Sequence, residues 1–164
     1  MTRTLRAEPL TRDAFAPFGQ VIEADGAHHY PINYGNCERY HDLAKIELAG
    51  PAPRPIISIL RSRSFSLPYD FALLERHPLG SQAFFPLGGR SYLVIVAPDQ
   101  GGTPGTPRAF LTRPGQGINL GINVWHGVLT PLGAGDADFI CVDRAGDGNN
   151  LEEHRLPEPW RVEA

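Results

Sequence analysis

Glu75-Arg76-His77-Pro78-Leu79-Gly80-Ser81-Gln82-Ala83-Phe84-Phe85-Pro86-Leu87-Gly88-Gly89-Arg90-Ser91-Tyr92-Leu93-Val94-Ile95-Val96-Ala97 holds the longest strongly apolar run of the chain, residues 92–97. A run that short, rich in β-branched and aromatic residues and closed by Pro98, has the length of a buried strand and is too short for a helix or a membrane span. A second strand is predicted just before it, at 82–87. Two glycines can supply the positive φ angles that a tight turn needs, so Leu87-Gly88-Gly89-Arg90 is predicted to be a hairpin turn.

The same punctuation continues along the chain. Glycine (18) and proline (16) are frequent among the 164 residues, and both are poor in helix interiors and central strands, which excludes long helical bundles. Strands are predicted at 20–23, 38–47, 56–61, 71–75, 82–87, 91–97, 108–112, 118–120, 124–129 and 138–143, a spacing that suits an all-β sandwich or barrel. One short helix is predicted where Thr11 can cap a turn through Asp13, Ala14 and Phe15. Residues 98–107 read as a surface loop, 133–135 and 145–150 as turns, and the charged tail 151–164 as a segment lying across the barrel or a partner subunit.

The hydrophobic share of 41% suffices for one core, and residues 1–164 are expected to form a single domain. A net charge of −3 without a basic stripe argues against a nucleic-acid partner. The first ten residues lack the apolar segment of a secretory signal, so no membrane association is expected. Cys37 and Cys141 lie far apart and form no CxxC, which suits a reducing cytoplasm. Of the 15 basic residues only Lys45 is lysine. Arginine grips carboxylates in a planar, two-pronged way that lysine cannot match.

Glu75 and His77 share one face if the segment is extended, because side chains alternate with period two. They can then bind a divalent metal or act as an acid–base pair. The competing reading is a turn at His77-Pro78 with Glu75 paired to Arg76 on the surface. In Asn123-Val124-Trp125-His126-Gly127, Trp125 and His126 point to opposite faces of a regular strand, so only one of them can face an interior. Arg39, Arg61 and Arg144 each sit in or at the end of a predicted strand, where a guanidinium can hold a small carboxylate or form a structural ion pair. Asp143 is a candidate base or a partner of Arg144. Tyr40 and His41 alternate, His28-His29-Tyr30 reads as a loop, and His154 is expected to face solvent.

Glu75-x-His77-x4-Gln82-x6-Gly89 resembles the first cupin motif, with Glu75 and Gln82 where histidine and glutamate are usual, and Asn123 to His126 resembles the end of the second. More narrowly, Arg39-Tyr40-His41-Asp42-Leu43-Ala44, Glu75 through Phe84, Arg108-Ala109-Phe110-Leu111, Gly115-Gln116-Gly117-Ile118-Asn119 and Asn123-Val124-Trp125-His126 resemble the ureidoglycolate lyase family, in older naming ureidoglycolate hydrolase. The chain departs from the common family pattern at Gly127-Val128, where His-Pro is frequent, and at Gly121-Ile122. The resemblance implies a cupin-like β-barrel of jelly-roll type, a homodimer, and cleavage of (S)-ureidoglycolate to glyoxylate and urea in allantoin breakdown. It also implies a divalent metal, nickel by family assignment, and no organic cofactor. Glu75, His77, His126 and Gln82 are then the expected catalytic residues, with Glu75, His77 and His126 as metal ligands. Arg39, Arg61, Arg144, Tyr40 and Trp125 are the expected substrate-binding residues. A ureidoglycolate amidohydrolase, another small-acid cupin enzyme and a non-catalytic ligand-binding cupin are the alternatives; a dioxygenase would need a fuller histidine set.

Overall fold

All six residues of Tyr92–Ala97 are buried, so both faces of this strand are covered. The structure, a computed structural model, describes residues 3–164. In chain order its strands are β1 (Arg3–Arg6), β2 (Glu8–Pro9), β3 (Gly19–Ile22), β4 (His29–Ile32), β5 (Cys37–Tyr40), β6 (Arg54–Arg63), β7 (Tyr69–Arg76), β8 (Gln82–Pro86), β9 (Tyr92–Ala97), β10 (Arg108–Leu111), β11 (Gly117–Leu120), β12 (Trp125–His126), β13 (Thr130–Pro131), β14 (Asp136–Ala145) and β15 (Glu152–Glu163). A single α-helical turn, α1 (Arg12–Phe15), is capped as expected, the Thr11 hydroxyl accepting from the Ala14 N–H at 3.2 Å.

The strands form an eight-stranded sheet in the order β1-β15-β7-β12-β9-β10-β2, with β13 also paired to β9, and a five-stranded sheet in the order β3-β11-β8-β14-β6. The two build the nearly closed, all-β, cupin-like barrel that the sequence predicts. Alternation along β9 decides what lies on each side of it. Tyr92, Val94 and Val96 face Phe84, Ile118, Leu120 and Phe139 of the five-stranded sheet, together with Phe15 and Phe110. Leu93, Ile95 and Ala97 join a second cluster with Phe71, Leu74, Trp125 and Val162. Each large side chain so buried contributes about 1.5–3 kcal/mol, which is why the barrel closes on aromatic rings. The Tyr92 and Phe139 rings meet edge to face at 5.1 Å, as do Phe15 and Phe110 at 5.7 Å.

Four expectations need correction. Gly88-Gly89 does form a turn, with Gly89 at φ 64°, but β8 belongs to one sheet and β9 to the other, so the turn crosses between sheets and joins no hairpin. The strand expected at 38–47 stops at Tyr40, because Asp42 takes φ 54°; beyond it, Lys45 N–H and Glu47 N–H are held by the side chains of Gln20 and Ser81 instead of a ladder. The strand expected at 124–129 is only Trp125–His126. The charged tail is β15, antiparallel to β7 and parallel to β1, with a register shift between Arg155 and Trp160 that absorbs Pro157 and Pro159.

Candidate metal centre and substrate cavity

The antiparallel pairing of β12 with β7 sets Glu75 directly opposite His126. His77 follows two residues after Glu75, past the end of β7, where its carbonyl accepts from the Asn123 N–H at 3.1 Å. Asn123 takes φ 64°, a conformation asparagine tolerates better than most residues, and this bend brings the chain into β12. One potential ligand atom from each of Glu75, His77 and His126 lies within 4.8 Å of the others, and the two imidazole rings are 5.2 Å apart.

Each histidine is oriented by the backbone. His77 Nδ1 donates to the Asn150 carbonyl at 2.7 Å, and His126 Nδ1 donates to the Gly127 carbonyl at 3.0 Å. A carbonyl can only accept, so both rings carry their proton on Nδ1 and leave the Nε2 lone pair free. Both Nε2 atoms are buried without a hydrogen-bond partner among the described residues. A buried, unpaired acceptor is costly unless something else occupies it, and a carbonyl-oriented imidazole with a free Nε2 is the usual form of a histidine metal ligand. Burial pushes the His126 imidazole down to about 4, its proton on Gly127 opposing and the neighbouring His77 adding, so the ring is neutral at physiological pH. Burial also pushes the Glu75 carboxyl up, against the attraction of His77 and with a further push from Glu153. Two imidazoles and a carboxylate suit a divalent cation.

The cluster opens onto a cavity of about 160 Å³ between the sheets. Its walls are largely apolar, including Phe84, Val94 and Leu120, and Glu75, Gln82, Tyr92 and His126 are its polar side chains. Such a space is smaller than a drug-sized pocket and suits a small acid better than a nucleotide. Gln82, on β8, donates through Nε2 to Asp143 Oδ2 on β14 at 3.3 Å, which turns its carbonyl oxygen away from Asp143. Asp143 thus partners Gln82 and leaves Arg144 to others; its Oδ1 is buried and unpaired. Glu75 has no ion pair with Arg76, whose guanidinium binds Asp99 at 2.7 Å and Glu152 at 2.6 Å.

The other expected site residues lie elsewhere. Trp125 faces the second core cluster, its indole N–H donating to Asp99 at 2.9 Å and its ring lying 4.7 Å below the Arg76 guanidinium. His154 meets the Trp125 ring edge-on at 5.8 Å and is half-buried. Arg61 pairs two-pronged with Asp138 across β6 and β14 at 2.8 and 2.9 Å. Arg144, 6% exposed, donates to the carbonyls of Ala49, Pro51 and Asp147, and so ties the 49–51 segment to the turn after β14. Arg39 and Tyr40 stand exposed on β5. Asn150 is the residue that sequence reasoning passed over: its carbonyl orients His77 and its side chain accepts from the Leu79 N–H at 2.8 Å. Its position at the end of a predicted turn, directly before the tail, gave no sign of that role.

Comparison with known proteins bears on fold and family. A solved dTDP sugar isomerase from Desulfovibrio desulfuricans G20 shares the fold, with a TM-score of 0.51 over 87% of each chain at 15% identity. A ureidoglycolate lyase of Chelativorans sp. (strain BNC1) is 56% identical, over 98% of this chain and 96% of the relative. Ureidoglycolate lyase 2 of Rhizobium meliloti (strain 1021) is 54% identical over 97% of each. The ureidoglycolate lyase family pattern matches residues 2–163, and with relatives this close over nearly their whole length the chain belongs to the ureidoglycolate lyase family.

Proposed function

We propose that this chain is an enzyme that cleaves (S)-ureidoglycolate to glyoxylate and urea, a carbon–nitrogen lyase of allantoin and purine-nitrogen breakdown. The observation that carries the reading is the convergence of Glu75 with the two free Nε2 atoms of His77 and His126 beside a small cavity. The curated relatives carry the same name over the full chain.

The substrate bears a hydroxyl, a carboxylate and a ureido nitrogen on one carbon. Elimination removes the hydroxyl proton, forms the aldehyde C=O, breaks the C–N bond and returns a proton to the departing nitrogen. Glu75, opposite His126 in the cavity lining, is the group placed to take the hydroxyl proton and deliver it to nitrogen. His77 Nε2, His126 Nε2 and a Glu75 oxygen are the donors for a divalent metal, nickel by family resemblance. When bound, such an ion polarises the hydroxyl oxygen and lowers its pKa. Gln82 presents its carbonyl oxygen to the ureido N–H groups, held by Asp143. The apolar walls limit water, which favours elimination over hydrolysis. Residues 1–164 act as one catalytic domain, in a cytoplasmic homodimer without an organic cofactor. No helix among the described residues is long and apolar enough to cross a membrane.

The test is to incubate the purified protein with (S)-ureidoglycolate, after chelation and after nickel is restored, and to measure glyoxylate, urea and ammonia separately. Urea without ammonia, lost on chelation and recovered with nickel, is the expected result. Ammonia would make the protein an amidohydrolase, and no turnover in any condition would overturn the reading.

A further inference from the structure

The cavity lacks one thing its proposed substrate needs. No arginine or lysine lines it, so no side-chain cation there meets the substrate carboxylate. Arg61 and Arg144 are committed to Asp138 and to three backbone carbonyls.

An arm of the chain lacks the opposite thing. β4 and β5 pair only with each other, and no residue from His29 to Tyr40 is buried. An isolated two-stranded hairpin is marginally stable in water. This one is stiffened by its rings, His29 on Tyr40 at 5.2 Å and Tyr30 on His41 at 5.6 Å, and by the His29–Glu38 contact at 3.0 Å. Its tip is strained: Asn33 and Tyr34 hold φ 51° and 58°, and the Tyr34 ring is fully exposed. A bulky residue is held in that conformation when its surroundings over-determine it, and here nothing described in the same chain surrounds it. Arg39, on β5, has no hydrogen bond or ion pair among the described residues.

A second copy of the chain has a place to sit. The register sets Phe85, Ile140 and Ile59 side by side across β8, β14 and β6, and Ile57, Ile59, Phe85 and Leu87 are exposed on that outer face. The three strands offer about 400 Å² of sheet face, from a spacing of about 4.8 Å and a rise of about 3.4 Å per residue. That is a large share of the roughly 800 Å² per partner that a stable interface buries, and the arm adds to it. The face also carries no net charge at its Arg61–Asp138 pair, so two copies need not repel there.

We infer that the β4–β5 arm of one copy closes over the cavity of a second copy and supplies Arg39 as the cation that holds the substrate carboxylate. The chemistry rests on the ureidoglycolate reading; the arm's destination does not. A two-fold pair exchanges two arms, so each working site is made of Glu75, His77 and His126 from one copy and Arg39 from the other.

Two measurements test this. Arg39→Ala raises KM for ureidoglycolate roughly ten- to a hundredfold, the loss of a charge-assisted hydrogen bond, with a smaller effect on kcat, and Arg39→Lys recovers part of it. Co-expressing Arg39→Ala and His77→Ala chains with different tags, and isolating the mixed pair, restores about half of the wild-type kcat/KM, read at substrate well below KM, because one of the two shared sites is intact. Mixed pairs no more active than the parent variants, or an unimpaired Arg39→Ala, overturn the inference while wild-type turnover keeps the ureidoglycolate reading standing. The second measurement needs no substrate. A photo-crosslinker placed at position 39 captures a differently tagged copy near Val128, at the cavity wall. Capture only within its own chain, or none, overturns the inference even if ureidoglycolate is not the substrate.

Discussion

Two histidine-bearing regions of this molecule differ in everything but residue type. His28, His29 and His41 stand on the exposed arm, where His29 meets Glu38 and His41 meets the Tyr30 hydroxyl at 3.4 Å. His77 and His126 lie buried, each with Nδ1 fixed by a carbonyl and Nε2 left without a partner. The difference teaches that ligand character comes from what the backbone does to the ring. His29 is fixed by an exposed carboxylate that water can replace, whereas a buried ring with one nitrogen spoken for presents the other in a single direction.

The sharpest way to break that comparison is to remove one ring from each region. His77→Ala lowers kcat/KM by roughly 10²–10⁴-fold while the melting temperature stays nearly unchanged, since the imidazole is held for chemistry more than for packing. His29→Ala leaves kcat within about twofold. Equal losses in both variants, or a collapse of Tm with His77→Ala, would return His77 to a structural role. A smaller effect separates the arginines. Arg144→Ala removes a buried guanidinium that donates to three carbonyls and is expected to destabilise the fold by about 1–3 kcal/mol, read from denaturant unfolding. Activity falls with it only as far as the 49–51 and 146–148 segments lose their position. The smallest effect belongs to Arg61→Gln, which keeps its activity and lowers Tm only slightly at neutral pH. The hydrogen bond from Arg61 holds the Asp138 carboxyl below the usual carboxylate range. A depressed carboxylate contributes stability above its unfolded pKa and loses it as pH falls through the folded value. The Tm gap between variant and wild type should therefore close in acid, and a gap that widens there would contradict the pairing.

Much of the barrel was legible because its signals are local. The run 92–97, the Thr11 cap and the glycine–proline punctuation each act within a few residues, and the strands they predict at 56–61, 71–75 and 138–143 exist with longer ends. Gly88-Gly89 misled for the same reason. Turn chemistry states that the chain reverses there but not which sheet receives the next strand. β15 was hidden by its two prolines, which a register shift tolerates and a propensity reading does not. In the site, the spacing of Glu75 and His77 made a shared face readable, and the family resemblance added His126. Asn150 and Gly127 contribute carbonyls, a group every residue carries, so no sequence pattern marks them. The arginines were ambiguous because a guanidinium's partner is set by tertiary neighbours: Asp138 lies 77 positions from Arg61.

β9 borders both the small cavity and the second apolar cluster, and its Leu93 and Ile95 belong to both. Gly127 lines the cavity side, and a Cβ added there would meet the Ile95 Cβ at 3.2 Å. Positions 127 and 95 are lateral neighbours, the Gly127 N–H donating to the Ile95 carbonyl at 2.9 Å, and they share one allotment of space. Trimming residue 95 does not relieve that contact, since every residue but glycine carries a Cβ; a side chain at 127 instead asks the β9 backbone to give by a few tenths of an ångström, so the cavity wall there is held by main chain as much as by side chains.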